Sequence, residues 1–183
     1  MDWILPGTVI PIKRENADLV EQQLRYMFLG GGVVLSQVAG VTGLEPYTVQ
    51  NWVKRGLLPP PEQKKYSMNQ LCRVININML KNVLPMERIC GMLSYINGHL
   101  DDESDDIIDD STLYFMFVRL AARFRLMHSE AGGDALIEQE LAQYAEPVPG
   151  AKDRVAKVLR IMLTAWGAAQ LRSSAEQMLT EIE

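Results

Sequence analysis

Tyr47, Gln50, Asn51 and Lys54 recur at i, i+3, i+4 and i+7, the spacing that places side chains on one face of a helix. All four can reach base edges or phosphates. Gln and Asn can pair bidentately with adenine in the major groove, and Lys can hold a phosphate oxygen. A merely solvated face would more often carry Glu and Lys. Val49, Trp52 and Val53 make the opposite, apolar side of the same segment. Thr48 joins the base-contacting set, while Arg55, Lys64, Lys65 and Tyr66 are the types that fix register on a phosphate backbone. The chemistry on offer is recognition.

Such a face needs elements to aim it. A first short apolar segment opens at Leu35 and closes at Thr42-Gly43, with Ser36 as expected N-cap of its helix and Val38, Ala39 and Val41 facing the core. Gly43 makes the turn, Pro46 suits the first position of the second helix, and Gly56 ends it. Two short helices joined by a tight glycine-containing turn form a helix-turn-helix pattern. Pro59, Pro60 and Pro61 forbid regular ladder pairing through their own positions, so residues 57–66 are at best a short wing, with Lys64 and Lys65 at its return. Ser67 and Gln70 form a capping box. The helix behind it runs to about Asn82 on Leu71, Val74, Ile75, Met79 and Leu80, and Pro85 opens another carrying Met86, Ile89, Cys90, Leu93 and Ile96.

Upstream, residues 1–12 read as an extended arm anchored by Trp3, followed by an amphipathic helix from about Arg14 to Phe28 that Gly30-Gly31-Gly32 ends. Downstream, Asp101 to Asp110 holds seven carboxylates in ten residues and reads as a solvated, self-repelling linker. As an EF-hand loop it fails, because the sixth and twelfth positions hold Asp106 and Thr112 instead of glycine and glutamate. The remainder is helical. A helix from Ser111 carries Leu113, Phe117, Leu120, Ala121, Phe124 and Leu126, and another runs from Asp134 to Tyr144 on Leu136, Ile137 and Leu141. A long last helix from Lys152 places Val155, Leu159, Met162, Trp166 and Ala169 on one stripe, fit to pack in cis or across a dimer.

The chain of 183 residues has a net charge of −5, unevenly spread. Residues 33–98 carry seven basic and three acidic side chains, whereas residues 99–183 carry eight basic and sixteen acidic. A positive island in an acidic protein fits a small nucleic-acid-binding module beside an acidic region. Cys72 and Cys90 form no metal-type pair and read as buried thiols of a reducing compartment. The N-terminus shows no signal peptide, and no apolar run is long enough to span a bilayer, so a cytoplasmic location is expected. His99 and His128 have no neighbouring nucleophile or motif, so the chain is not expected to be an enzyme, nor to need a metal or cofactor.

Leu35 to Leu93 resembles the DNA-binding domain of the MerR family of bacterial regulators. The matching pieces are Ala39, Thr42-Gly43, Thr48-Val49, Trp52, Gly56-Leu57-Leu58-Pro59, Lys65-Tyr66-Ser67, Leu71, Leu80 and Met86-Glu87-Arg88-Ile89. The whole chain looks more like an uncharacterised MerR-like family of similar length than like a founding member. It departs in having Gln50 and Asn51 where that family has Arg and Tyr, in a shorter wing, and in lacking a cysteine cluster. The expected fold is therefore all-α, with an N-terminal winged helix-turn-helix (MerR-like) domain and a C-terminal helical region. Its parts are an arm and helix (1–32), the DNA-binding domain (33–98), an acidic linker (99–110) and a dimerisation or effector region (111–183). The expected function is sequence-specific binding of double-stranded DNA by a transcriptional regulator, as a homodimer. The alternative is a protein–protein interaction module that keeps the scaffold without using DNA. Met116, Phe117, Phe124, Met127, Met162 and Trp166 could line a site for an unknown small-molecule effector, although such residues are usually core.

Overall fold

The N-terminal arm doubles back on itself. In the computed structural model, which describes residues 2–100, 102–124 and 130–182, strand β1 (Asp2–Ile4) pairs antiparallel with β2 (Pro11–Lys13). The hairpin is tied to the body at three points. The Tyr114 hydroxyl donates to the Pro6 carbonyl at 2.9 Å, the Asn78 amide donates to the Gly7 carbonyl at 2.9 Å, and the Val9 N–H donates to the Val41 carbonyl. Gly7 (φ +74°) is required there, since a Cβ would sit 2.5 Å from the Ile75 carbonyl oxygen. Trp3 is buried, as an anchor should be.

The helix expected over Arg14 to Phe28 is two pieces, a 3-10 turn (Arg14–Leu19) and then α1 (Val20–Tyr26), with Val20 and Leu24 inward. Strand β3 (Val33–Val34) leads directly into α2 (Leu35–Thr42). Ser36 is not the N-cap: Val34 holds that position and the helix begins two residues earlier than expected, at Leu35, with the Gln37 side chain accepting from the Val34 N–H at 2.9 Å. Gly43 ends α2 in the left-handed conformation (φ 69°), and after Leu44 and Glu45 helix α3 (Pro46–Lys54) begins with its proline in the first turn.

Strand β4 (Lys65–Tyr66) pairs with β3, so the polypeptide after α3 returns to the strand before α2. Gln63 (φ 47°) and Lys64 (φ 64°) both take left-handed backbone, and the Lys65 N–H closes the turn on the Glu62 carbonyl at 2.8 Å. The three prolines lie outside the ladder. Helix α4 (Met68–Leu80) starts with the expected capping box, Ser67 Oγ accepting from Gln70 N–H and Gln70 Oε1 from Ser67 N–H. Almost all of α4 is buried, which makes it the axis of the molecule. Helix α5 (Met86–Asn97) follows Pro85.

The segment expected to be a solvated linker is instead packed. The Ile107 N–H donates to the Ile96 carbonyl, Ile107 and Ile108 are buried, and Tyr144 hydrogen-bonds the Ile107 carbonyl. Three of its carboxylates have local partners. Asp102 accepts from Ser104, Asp105 accepts from the His99 N–H, and Asp109 caps α6 (Asp110–Arg123) through the Thr112 N–H at 2.8 Å. Asp110 is buried in an ion pair with Arg73 at 3.1 Å. Asp101 lies outside the described residues, as do Leu126, Met127 and His128.

Helix α6 lies along α4, and α7 (Glu130–Glu140) and α8 (Ala151–Thr180) pack behind it. Val155, Leu159, Met162 and Trp166 are buried against the chain's own body, so that stripe packs in cis. Met116, Phe117, Met162 and Trp166 are core, Phe117 meeting Trp166 edge to face at 6.1 Å, and do not line an open effector site. One apolar core connects all these elements. The described residues are mostly helical, with two short two-stranded pieces.

Candidate functional site

Helix α3 is placed by its apolar side. Val49 and Trp52 are buried, and Lys81 of the α4 C-terminus lies over the Trp52 ring, its ammonium 6.0 Å from the ring centre. Partial burial lowers the Lys81 pKa from its ordinary value. With that side held, Tyr47, Gln50, Asn51, Lys54 and Arg55 are exposed, and Thr48 is half-buried at the edge. The division predicted from the spacing is the division observed.

The turn beyond α3 brings a second set beside the first. Gln50 and Lys54 of α3, with Lys64 at the hairpin tip, line one groove of about 500 Å³ whose apolar wall is Leu35, Val53, Pro61 and Tyr66. Lys65 points the other way, its ammonium hydrogen-bonded to the Gly30 carbonyl while remaining exposed. Tyr66 departs from the expectation of a phosphate contact. It is 3% exposed, because β4 pairs with β3 and turns alternate side chains inward, and burial raises its hydroxyl pKa. It is part of the groove's floor.

Three polar residues of α4 hold this arrangement; the sequence marks Gln70 only as a capping-box partner, and reading for exposed polar faces missed Arg73 and Asn78. Arg73 Nε donates to the Leu57 carbonyl at 3.0 Å while its Nη1 binds Asp110, so one guanidinium ties the end of α3 to α6. Gln70 Nε2 donates to the Pro60 carbonyl at 2.9 Å and fixes the proline segment. Asn78 Nδ2 bridges the Gly7 and Thr42 carbonyls, both at 2.9 Å. The available signal was a run of polar side chains on a helix otherwise too apolar to face water.

Chemically the exposed set donates and accepts hydrogen bonds and carries positive charge. Among the described residues no group of three or more His, Cys, Asp or Glu could hold a metal ion, and no helix is long and apolar enough to cross a membrane. Cys72 is buried, and burial pushes its thiol well up; Cys90 is half-buried with its thiol raised for the same reason.

Residues 32–117 match the domain of unknown function DUF1836. An 86-residue stretch is 34% identical to the uncharacterized protein YkrK of Bacillus subtilis (strain 168), covering 45% of this chain and 37% of that relative. The chain thus matches little more than a third of that protein's length. No solved structure matches it. The MerR resemblance is accordingly corrected, since the matching family is a different one. Several of the pieces that carried the resemblance, Thr42-Gly43, Gly56-Leu57-Leu58-Pro59 and Ser67 among them, are caps and turns. Any sequence joining two short helices to a tight return needs such residues, so they report local geometry more than descent.

Proposed function

We propose that this chain binds double-stranded DNA as a sequence-specific transcriptional regulator, with α2 and α3 as a helix-turn-helix and the β3–β4 ribbon as a short wing. One observation carries the reading: the exposed side of α3 is Tyr47, Gln50, Asn51 and Lys54, and Lys64 of the hairpin tip shares a groove with Gln50 and Lys54. In this reading α3 enters the major groove. Thr48, Gln50 and Asn51 address base edges, while Lys54, Arg55 and Lys64 hold phosphates. Two copies would present two such faces to half-sites about 34 Å apart.

The apolar wall of the same groove supports a second reading, in which a peptide side chain of a protein partner seats on Leu35, Val53 and Tyr66. Salt separates the two. Binding to a labelled fragment of the gene's own upstream region, with random DNA as competitor, is expected to be selective and to fall steeply as salt rises. Failure to bind that fragment and a random-sequence pool at low salt would leave the protein-partner reading as the better one.

A further inference from the structure

Helix α8 is 30 residues long, but the body holds only its first half. It buries one face from Val155 to Gly167, whereas every residue from 170 to 182 is exposed. An isolated helix of that length is marginal in water. Nor is its surface polar all round. Ala168, Leu171, Ala175, Met178 and Ile182 recur at spacings of three and four, the seam of a coiled coil. Leu171 is 60% exposed, Met178 64%, Leu179 57% and Ile182 81%.

We propose that this stripe pairs antiparallel with the same stripe of a second copy of the chain. Small side chains on one side of Ser173 mirror large ones on the other. Run against its own reverse, Ala168 faces Met178, Leu171 faces Ala175, and Thr164 faces Ile182, which gives layers of even thickness. A parallel pairing would stack Ala on Ala and Met on Met. A two-fold interface must be complementary to itself, and this stripe meets that condition without a different partner.

In that register the pair overlaps over residues 164–182, about 28 Å of helix at 1.5 Å per residue. Ile182, opposite Thr164, then lies within one turn of the other copy's Ile161, which is itself 45% exposed. The area covered is on the order of 1,000 Å² in total, the lower bound for a specific interface, so the dimer forms in a concentration-dependent way. Arg172, beside the seam, is balanced by Glu176 of its own helix at 2.8 Å. This pairing does not depend on DNA binding.

Sedimentation equilibrium of the full chain, without DNA, tests it. A monomer–dimer equilibrium is expected at micromolar concentrations. Leu171→Glu with Met178→Glu should shift it at least tenfold towards monomer with an unchanged circular dichroism spectrum, since neither side chain contributes to the core. A wild-type monomer throughout, or a dimer unaffected by the double variant, overturns the proposal. Direction is read by mild oxidation, with the native Cys72 and Cys90 setting the background. Ala168→Cys with Met178→Cys should cross-link between copies and Ala168→Cys alone should not; cross-linking by the single variant overturns the antiparallel arrangement.

Discussion

In the proposed DNA complex, Asn51 and Lys64 would differ in what their contacts distinguish. An amide opposite adenine reads identity, whereas an ammonium beside a phosphate reads only charge. Asn51→Ala is therefore expected to cost about 1–3 kcal/mol of discrimination at one base position, measured as the ratio of specific to random binding. Lys64→Ala should weaken both about equally and reduce the slope of binding against salt by about one. Equal losses from the two variants would count against the assignment. Arg73 presents a different kind of test because its partner is buried. Burial raises the Asp110 pKa and the adjacent guanidinium opposes that rise. Arg73→Met strands the carboxyl and should cost about 3–5 kcal/mol by denaturant unfolding. Adding Asp110→Leu should recover most of the loss.

Among the elements, α2 and α6 depend most visibly on single terminal residues. Gly43 ends α2 at φ 69°, and a Cβ there would lie 2.6 Å from the Val9 Cγ1 atom. Gly43→Ala combines a conformation unsuited to L side chains with displacement of the arm. It should destabilise by more than about 1 kcal/mol in thermal unfolding, and no change in Tm would show that the turn relaxes freely. Asp109 starts α6. Burial works to raise its pKa, but hydrogen bonds from Ser111 and Thr112 outweigh it and hold the carboxyl below its ordinary value. A lowered pKa in the folded state adds stability above the unfolded carboxylate value of about 3.9, and that stability is lost as pH falls through the lowered value. Asp109→Asn should remove this acid-side dependence, and Asp109→Ala should cost about 1 kcal/mol at neutral pH.

At the scale of the molecule, α4 decides what can fold alone. Its Val74 and Ile75 are fully buried, and α6 lies along it. A fragment of residues 1–98 would expose much of that apolar surface, so it should bind a hydrophobic dye and lack cooperative unfolding. The whole chain should unfold in one transition by tryptophan fluorescence and far-ultraviolet circular dichroism alike. Two separated transitions would restore an independent N-terminal domain. That the DUF1836 match runs on to residue 117, well into α6, agrees with one unit that crosses the acidic segment.

Periodicity and caps settle what is local. The amphipathic split of α3, the proline at its start, the left-handed glycine after α2 and the Ser67–Gln70 box all follow from residue types a few positions apart, and all are present. Side chains that act across long sequence separations leave no such trace. Seven carboxylates in ten residues look like a solvated linker until Arg73, 37 residues away, pairs with one of them in the core. Tyr66 looks like a surface aromatic beside two lysines until strand pairing with Val33 turns it inward. The stripe on the first half of α8 looks equally fit for another copy or for the chain itself; packing gives it to the chain and leaves residues 170–182 exposed. Spacing along the chain determined which residues share a face. Only the tertiary structure decided which faces are covered, because burial is a property of what lies opposite.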